Sequence, residues 1–163
     1  MRKNGDPFVA DIVRQTEKLF ENVGALLSVV DSDVLSHERF RWPLWRQIYH
    51  MLHSIDKWFI NPSRYQDHRS DGLEIAALNA PTQIVPLDRA TLIDYYDHIN
   101  EKVMSYVRDL KSADLIVKPD DCRFSRLELI LGQFRHVMYH IGFISECLQE
   151  IGAPLPRYYG LDF

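Results

Sequence analysis

Cysteine is scarce in this chain: Cys122 and Cys147 are its only thiols, far apart and without a C-x-x-C partner. That excludes a disulfide framework as the source of stability and predicts two ordinary reduced thiols in an intracellular, cytoplasmic protein. No stretch approaches eighteen consecutive apolar residues, so no membrane span is expected. The opening "MRKNGDPFVADIVRQ" is charged and no apolar h-region follows it, so no signal peptide is expected either. A basic run is also missing. Lys and Arg are scattered, and the formal net charge is −4. Affinity for nucleic acid is dominated by positive charge facing phosphates, so this balance argues against a nucleic-acid partner. Alternating strand patterns, internal repeats and low-complexity tracts are absent as well.

What remains is globular composition, 46% apolar and 26% charged over 163 residues, long enough to bury one substantial core. Four segments carry helical spacing. The first, "DPFVADIVRQTEKLFENVGALLSVV", opens on Asp6 as an N-cap with a proline behind it, and Phe8, Ile12, Leu19, Val23, Leu26, Leu27 and Val30 form its stripe. The second covers residues 43–59, with Leu44, Ile48, Leu52, Ile55 and Phe59 on one side and Asn61-Pro62 as its stop. An earlier start near Ser36, with Pro43 as a kink or break, fits the pattern too.

Residues 60–87 lack periodicity and contain Pro62, Gly72, Pro81 and Pro86, which reads as a long loop with at most a short helical turn. The third helix is "LDRATLIDYYDHINEKVMSYVRDLK". Asp88 is its cap, Leu87 and Leu92 are placed as a hydrophobic staple, and Leu92, Ile99, Val103, Tyr106 and Leu110 are its apolar positions. A polar loop, "SADLIVKPDDCRF", leads to the fourth helix. That helix opens on the capping box Ser125-Arg126-Leu127-Glu128 and stops at Ile151-Gly152 before Pro154. Four amphipathic helices and no strand give an all-α fold, most economically a four-helix bundle. The tail "APLPRYYGLDF" is too aromatic for a linker and is expected to pack on the bundle or on a second subunit.

The chemistry-bearing feature is "FRHVMYHIGF". At about 100° per residue, His136 and His140 lie on one side of the fourth helix, the spacing two imidazoles need to reach one metal. The glutamate of an H-E-x-x-H protease is missing. Two histidines alone also fit a bland reading, as boundary residues each hydrogen-bonded to a neighbour. Their place on the wheel, at the edge of an apolar arc running from Leu131 through Phe134 to Phe143, is a seam, where metal sites in bundles are built from facing helices. A third ligand then has to come from another helix. His50 and His53 on the second helix both stand roughly 140–160° from its stripe. Periodicity puts neither in the core and does not choose between them; both being solvated fits as well. Asp94, Asp97 and His98 read as a solvated face of the third helix. Trp42, Trp45 and Trp58 read as core or cleft wall, Tyr139 as a packing or orienting ring, and Cys147 as a buried inert thiol.

The pair "PLWRQIYHMLHSIDKWF" and "LGQFRHVMYHIGFISECL" resembles the DinB-like (DinB/YfiT) superfamily of metal-binding four-helix bundles. The resemblance is carried by Trp45 with Tyr49-His50, and by Arg135-His136 with Tyr139-His140 and Gly142. It implies one domain over residues 1–163, an up-down bundle with a long loop between helices two and three, and homodimers. It implies the metal ligands His50, His136 and His140, with His53 beside the cleft or, as the alternative, in the place of His50. Three neutral imidazoles leave coordination positions open for water or substrate and suit zinc or nickel rather than calcium or magnesium. The activities implied are metal-dependent hydrolysis or transfer to a low-molecular-weight thiol, on a small-molecule substrate. The alternative is a non-catalytic metal-binding or stress-response bundle, since no carboxylate is evidently placed beside the three histidines.

Overall fold

The computed structural model describes residues 6–37, 42–78 and 85–161, and among them there are seven helices and no strand. Four are long: α1 (Pro7–Val29), α3 (Leu44–Trp58), α5 (Arg89–Asp109) and α7 (Arg126–Glu150). Three are short: α2 (Ser32–Leu35), α4 (Gly72–Ala76) and α6 (Ser112–Leu115).

The starts follow from the capping chemistry. Phe8 N donates to Asp6 Oδ1 at 3.1 Å with Pro7 in the first turn of α1, and Thr91 N donates to Asp88 Oδ1 at 2.8 Å at the head of α5. At α7 the capping box closes in both directions, Glu128 N onto Ser125 Oγ at 3.3 Å and Ser125 N onto Glu128 Oε2 at 2.7 Å. The end of α7 is equally specified. Gly152 adopts φ +69°, Ala153 N donates to Leu148 O at 2.9 Å and Gly152 N to Gln149 O at 3.1 Å. These are the two bonds of a Schellman cap, which needs a residue free to enter the left-handed region.

Each long helix packs against two others: α1 against α5 and α7, and α3 against α5 and α7. The stripes meet in one core in which Val23, Leu26, Ile48, Leu52, Leu92, Ile99, Ile130, Val137 and Ile144 are fully buried. The predicted staple residues behave as expected, Leu92 buried and Leu87 packed against the core.

Several expectations are corrected. Phe8, Leu131 and Phe143 are exposed, so the apolar arc of α7 is narrower than the sequence pattern implied. The stretch near Ser36 is not an early start of α3. It belongs to a separate turn of helix, α2, capped by Asp31, and residues 38–41 lie outside the described set. The loop before α7 contains α6, whose Leu115 reaches the core. The short helical turn expected in the long connection after α3 is there, as α4, and Pro81 falls outside the described residues. Of the two placements expected for the tail, it takes the one on its own chain: Asn22, buried on α1, donates from Nδ2 to Tyr159 O at 2.8 Å and accepts from Tyr159 N at 3.0 Å.

The largest departure concerns α3. Leu44 through Tyr49, Met51 through His53, Ile55 and Asp56 are all buried, and the strip of His50, Ser54, Lys57 and Trp58 stays partly open to solvent. One face meets α5 and α7, and α4 lies against the helix as well. Several polar residues away from the Ile48/Leu52/Ile55 stripe, Arg46 and His53 among them, are nevertheless inside the protein and must find partners there.

Candidate metal centre

Helix α7 brings His136 and His140 together one turn apart, their ring centroids 4.5 Å from each other. Helix α3, packed against α7, contributes His50, whose ring centroid lies 4.9 Å from that of His140 and 5.6 Å from that of His136. Each of the three rings offers one ligand nitrogen, and these nitrogens lie within 4.8 Å of one another. Nitrogens sharing one tetrahedral ion at about 2.1 Å would stand about 3.4 Å apart, so the set closes on an ion with ring movements of about an ångström.

The second nitrogen of His50 is already committed. His50 Nδ1 lies 2.6 Å from the carbonyl oxygen of Ala76 on α4. A carbonyl only accepts, so Nδ1 carries the proton and Nε2 keeps the free lone pair. A metal-ligating histidine is typically oriented in this way, donating its other N–H to a backbone carbonyl or carboxylate. On α7 the situation is the reverse: among the described residues, His136 Nε2 and His140 Nδ1 are buried with no hydrogen-bond partner. A buried polar atom left without a partner costs free energy, and two in adjacent rings form the sort of deficit a bound cation removes.

Electrostatics hold these rings in the ligating form. Burial, reinforced by His50, pushes His136 below the ordinary histidine range. Burial together with His136 and His50 drives His140 down to about 3. Both are neutral near pH 7, which is the protonation state a metal requires. Tyr139, 70% exposed, sets its ring edge-on to His140 at 5.4 Å, so it packs against the ligating edge of α7 from the solvent side.

His53 is placed elsewhere. It is 5% exposed, and its Nε2 lies 3.2 Å from Asp67 Oδ2 in the connection after α3. The reading in which both α3 histidines are solvated is thus overturned: His53 is buried, and His50 is half-buried against α4 and the two α7 rings. The other candidates do not join the cluster. His68 stacks between Tyr95 and His98, and Asp94 and Asp97 are exposed on α5. Cys147 is buried, its thiol pushed up to about 11 by desolvation and by Glu150. Trp45 is in the core, Trp58 is partly exposed, and Trp42 covers the Arg46 guanidinium at 4.6 Å.

Sequence reasoning missed two participants, the Ala76 carbonyl and Arg46. Arg46 lies one turn before His50 and its buried side chain grips the end of α4, donating from Nε to Ile75 O at 2.9 Å and from Nη2 to Glu74 O at 3.1 Å and Ala77 O at 2.8 Å. A backbone carbonyl leaves no trace in residue type, and a lone arginine in an amphipathic helix reads as a surface charge.

No protein-family model and no curated protein matches the sequence. The fold is similar to a crystal structure of a DinB-like protein from Bacillus cereus ATCC 10987, with a TM-score of 0.69 at 17% identity, covering 91% of this chain and 95% of that one. At that identity the likeness carries the fold alone. The chain has the DinB-like helical fold, with a three-histidine cluster between two of its long helices.

Proposed function

We propose that this protein binds one divalent transition ion through His50, His136 and His140, in an up-down four-helix bundle, and uses it in an enzymatic reaction on a small molecule. The observation that carries the reading is the convergence of three imidazoles from two helices, two of them with a buried nitrogen lacking any partner among the described residues. The donor set is all nitrogen, with burial keeping His136 and His140 neutral, which suits zinc or nickel and disfavours hard oxygen-seeking ions.

Three protein ligands leave coordination positions free, and a divalent ion so held supplies a Lewis acid that lowers the pKa of a water or thiol and polarises a substrate. The chain's own residues do the rest. Ala76 O fixes the His50 tautomer, burial keeps His136 and His140 unprotonated, and the buried flanks of α3 and α7 limit the ring rotamers. The two reaction classes that fit are hydrolysis and transfer to a low-molecular-weight thiol. A second reading, a non-catalytic metal-binding bundle, is favoured by one fact: among the described residues no carboxylate joins the three-histidine group, and Asp67, close by in sequence, is engaged with His53.

Metal analysis of protein purified without an affinity tag tests the site. The wild type should carry up to one equivalent, and His136→Ala/His140→Ala should carry none. Equal metal content in that double variant would refute the proposal. Turnover of small esters, amides and thiol acceptors by the loaded wild type then separates the enzymatic from the non-catalytic reading.

A further inference from the structure

The docking of α4 is peculiar. Five residues cannot hold a helix by themselves, since nucleation costs more than one turn of hydrogen bonds returns. The carbonyls at the end of such a segment need partners outside it. Here those of Glu74, Ile75 and Ala77 go to Arg46, and that of Ala76 goes to His50. Arg46 is 1% exposed. A guanidinium in the interior is expensive to desolvate, and an apolar side chain of similar length would fill the space at less cost. What offsets the charge is a set of carbonyl oxygens at the negative end of a helix, together with the Trp42 ring. Only a planar fork with several donors can take three carbonyls from one segment at once.

We infer that Arg46 is a positioning residue for His50: by gripping the end of α4 it places the Ala76 carbonyl where His50 must donate from Nδ1, which commits Nε2 to the ion. The inference rests on the metal site proposed above. An imidazole without such a partner samples both tautomers and rotates, and one tautomer has no lone pair on the nitrogen that has to ligate. Arg46 touches neither the ion nor substrate. Its effect passes through one backbone carbonyl.

The test uses the untagged full chain with histidine labelled in nitrogen-15, as wild type, Arg46→Met and Arg46→Lys. The metal-free protein is examined by NMR for the tautomer of His50, and Co²⁺ is then titrated by its absorption spectrum. In the wild type His50 should be the Nδ1–H form. In Arg46→Met it should become a tautomer mixture, and Co²⁺ affinity should fall by about 10- to 100-fold, the usual range for outer-shell partners of a metal ligand. Arg46→Lys keeps the charge but loses the fork, so it should move both readouts in the same direction by less; it also serves if the Met variant does not fold. Val107→Ala, in the buried core of α5, controls for general destabilisation and should lower the melting temperature while leaving both readouts in place. The role of Arg46 is refuted if both Arg46 variants keep the wild-type tautomer and Co²⁺ affinity. If His136→Ala/His140→Ala takes up Co²⁺ like wild type, the metal site itself has failed, and the metal-free tautomer still decides whether Arg46 positions His50.

Discussion

His50 and His53 stand within one turn of the same helix and have opposite surroundings. His50 faces two other imidazoles and a carbonyl. His53 faces Asp67, which also accepts from Tyr65 at 3.1 Å, and its ring lies edge-on to Tyr65. Burial lowers the pKa of His53 despite the raising effect of Asp67, so a neutral ring bonded to a carboxylate is the resting arrangement. This pair ties the start of the connection after α3 to the helix itself. His53→Gln should therefore retain the full metal content while losing stability, by about 1–3 kcal/mol if Asp67 is left short of a partner in the interior. Urea unfolding and metal analysis of the same preparation check both halves. Loss of metal with stability unchanged would make His53 the ligand in place of His50. At this scale the spacing of the α7 histidines showed that both rings could reach one point, but the same spacing fits two boundary histidines, and the packing of α3 against α7 is what brings a third ring to them. The choice between His50 and His53 was not legible from periodicity, because α4 also packs on α3, so distance from the apolar stripe does not separate inside from outside. The family resemblance supplied His50, and the structure brings that ring to the other two.

At the level of elements, the long helices and their termini were readable because caps, staples and stops are local chemistry. Asp6, Asp88, Ser125 with Glu128, and Gly152 each mark a boundary that the structure reproduces. Phe8, Leu131 and Phe143 were misplaced for a general reason: burial selects apolar residues, but apolar residues are not thereby buried. A short helical turn was expected after α3, but the place of α4 could not be read, since five residues show no period and its order comes from tertiary contacts. Gly72 is where those contacts are tightest. A Cβ there would overlap the Asp67 carboxylate and the Tyr49 hydroxyl, and Asp67 is held by His53 and Tyr65 and so cannot simply swing away. The backbone at Gly72 is not in the left-handed region, so the constraint is one of space rather than of conformation. Gly72→Ala should cost about 1–3 kcal/mol as an overpacked site and loosen α4 first. Hydrogen exchange checks this at the amides of Ile75 and Ala77, which bond to Asp71 and Leu73 in the native turn. Unchanged protection there would mean that α4 accommodates a methyl group and that its fit against α3 is looser than the geometry indicates.

Over the whole molecule, three imidazoles buried neutral, those of His53, His136 and His140, make folding depend on pH with a definite sign. Their folded pKa values lie below the ordinary 6.5, with His140 down to about 3, so the unfolded chain binds more protons wherever the pH lies between the two values. Stability is then complete above about pH 6.5 and declines as the pH falls below it, by roughly 1.4 kcal/mol per pH unit for each histidine still neutral in the folded protein. Carboxylates with depressed values, such as Asp6, Asp88 and Glu128, begin to contribute only near their unfolded pKa values of 3.8 to 4.5. The window from about pH 6.5 to 5 therefore belongs to the histidines, and urea midpoints across it isolate their effect. A metal that ligates the neutral rings adds to stability by mass action and is displaced by protons over the same range, so a metal-saturated sample should be more stable at pH 7 and should fall more steeply with acid. In His136→Ala/His140→Ala two of the three groups are gone, and both the slope and the metal increment should shrink together. A steep acid slope that survives in that variant would place the proton uptake at His53 or in the carboxylates, and the neutrality of the α7 rings would no longer account for the acid sensitivity of the fold.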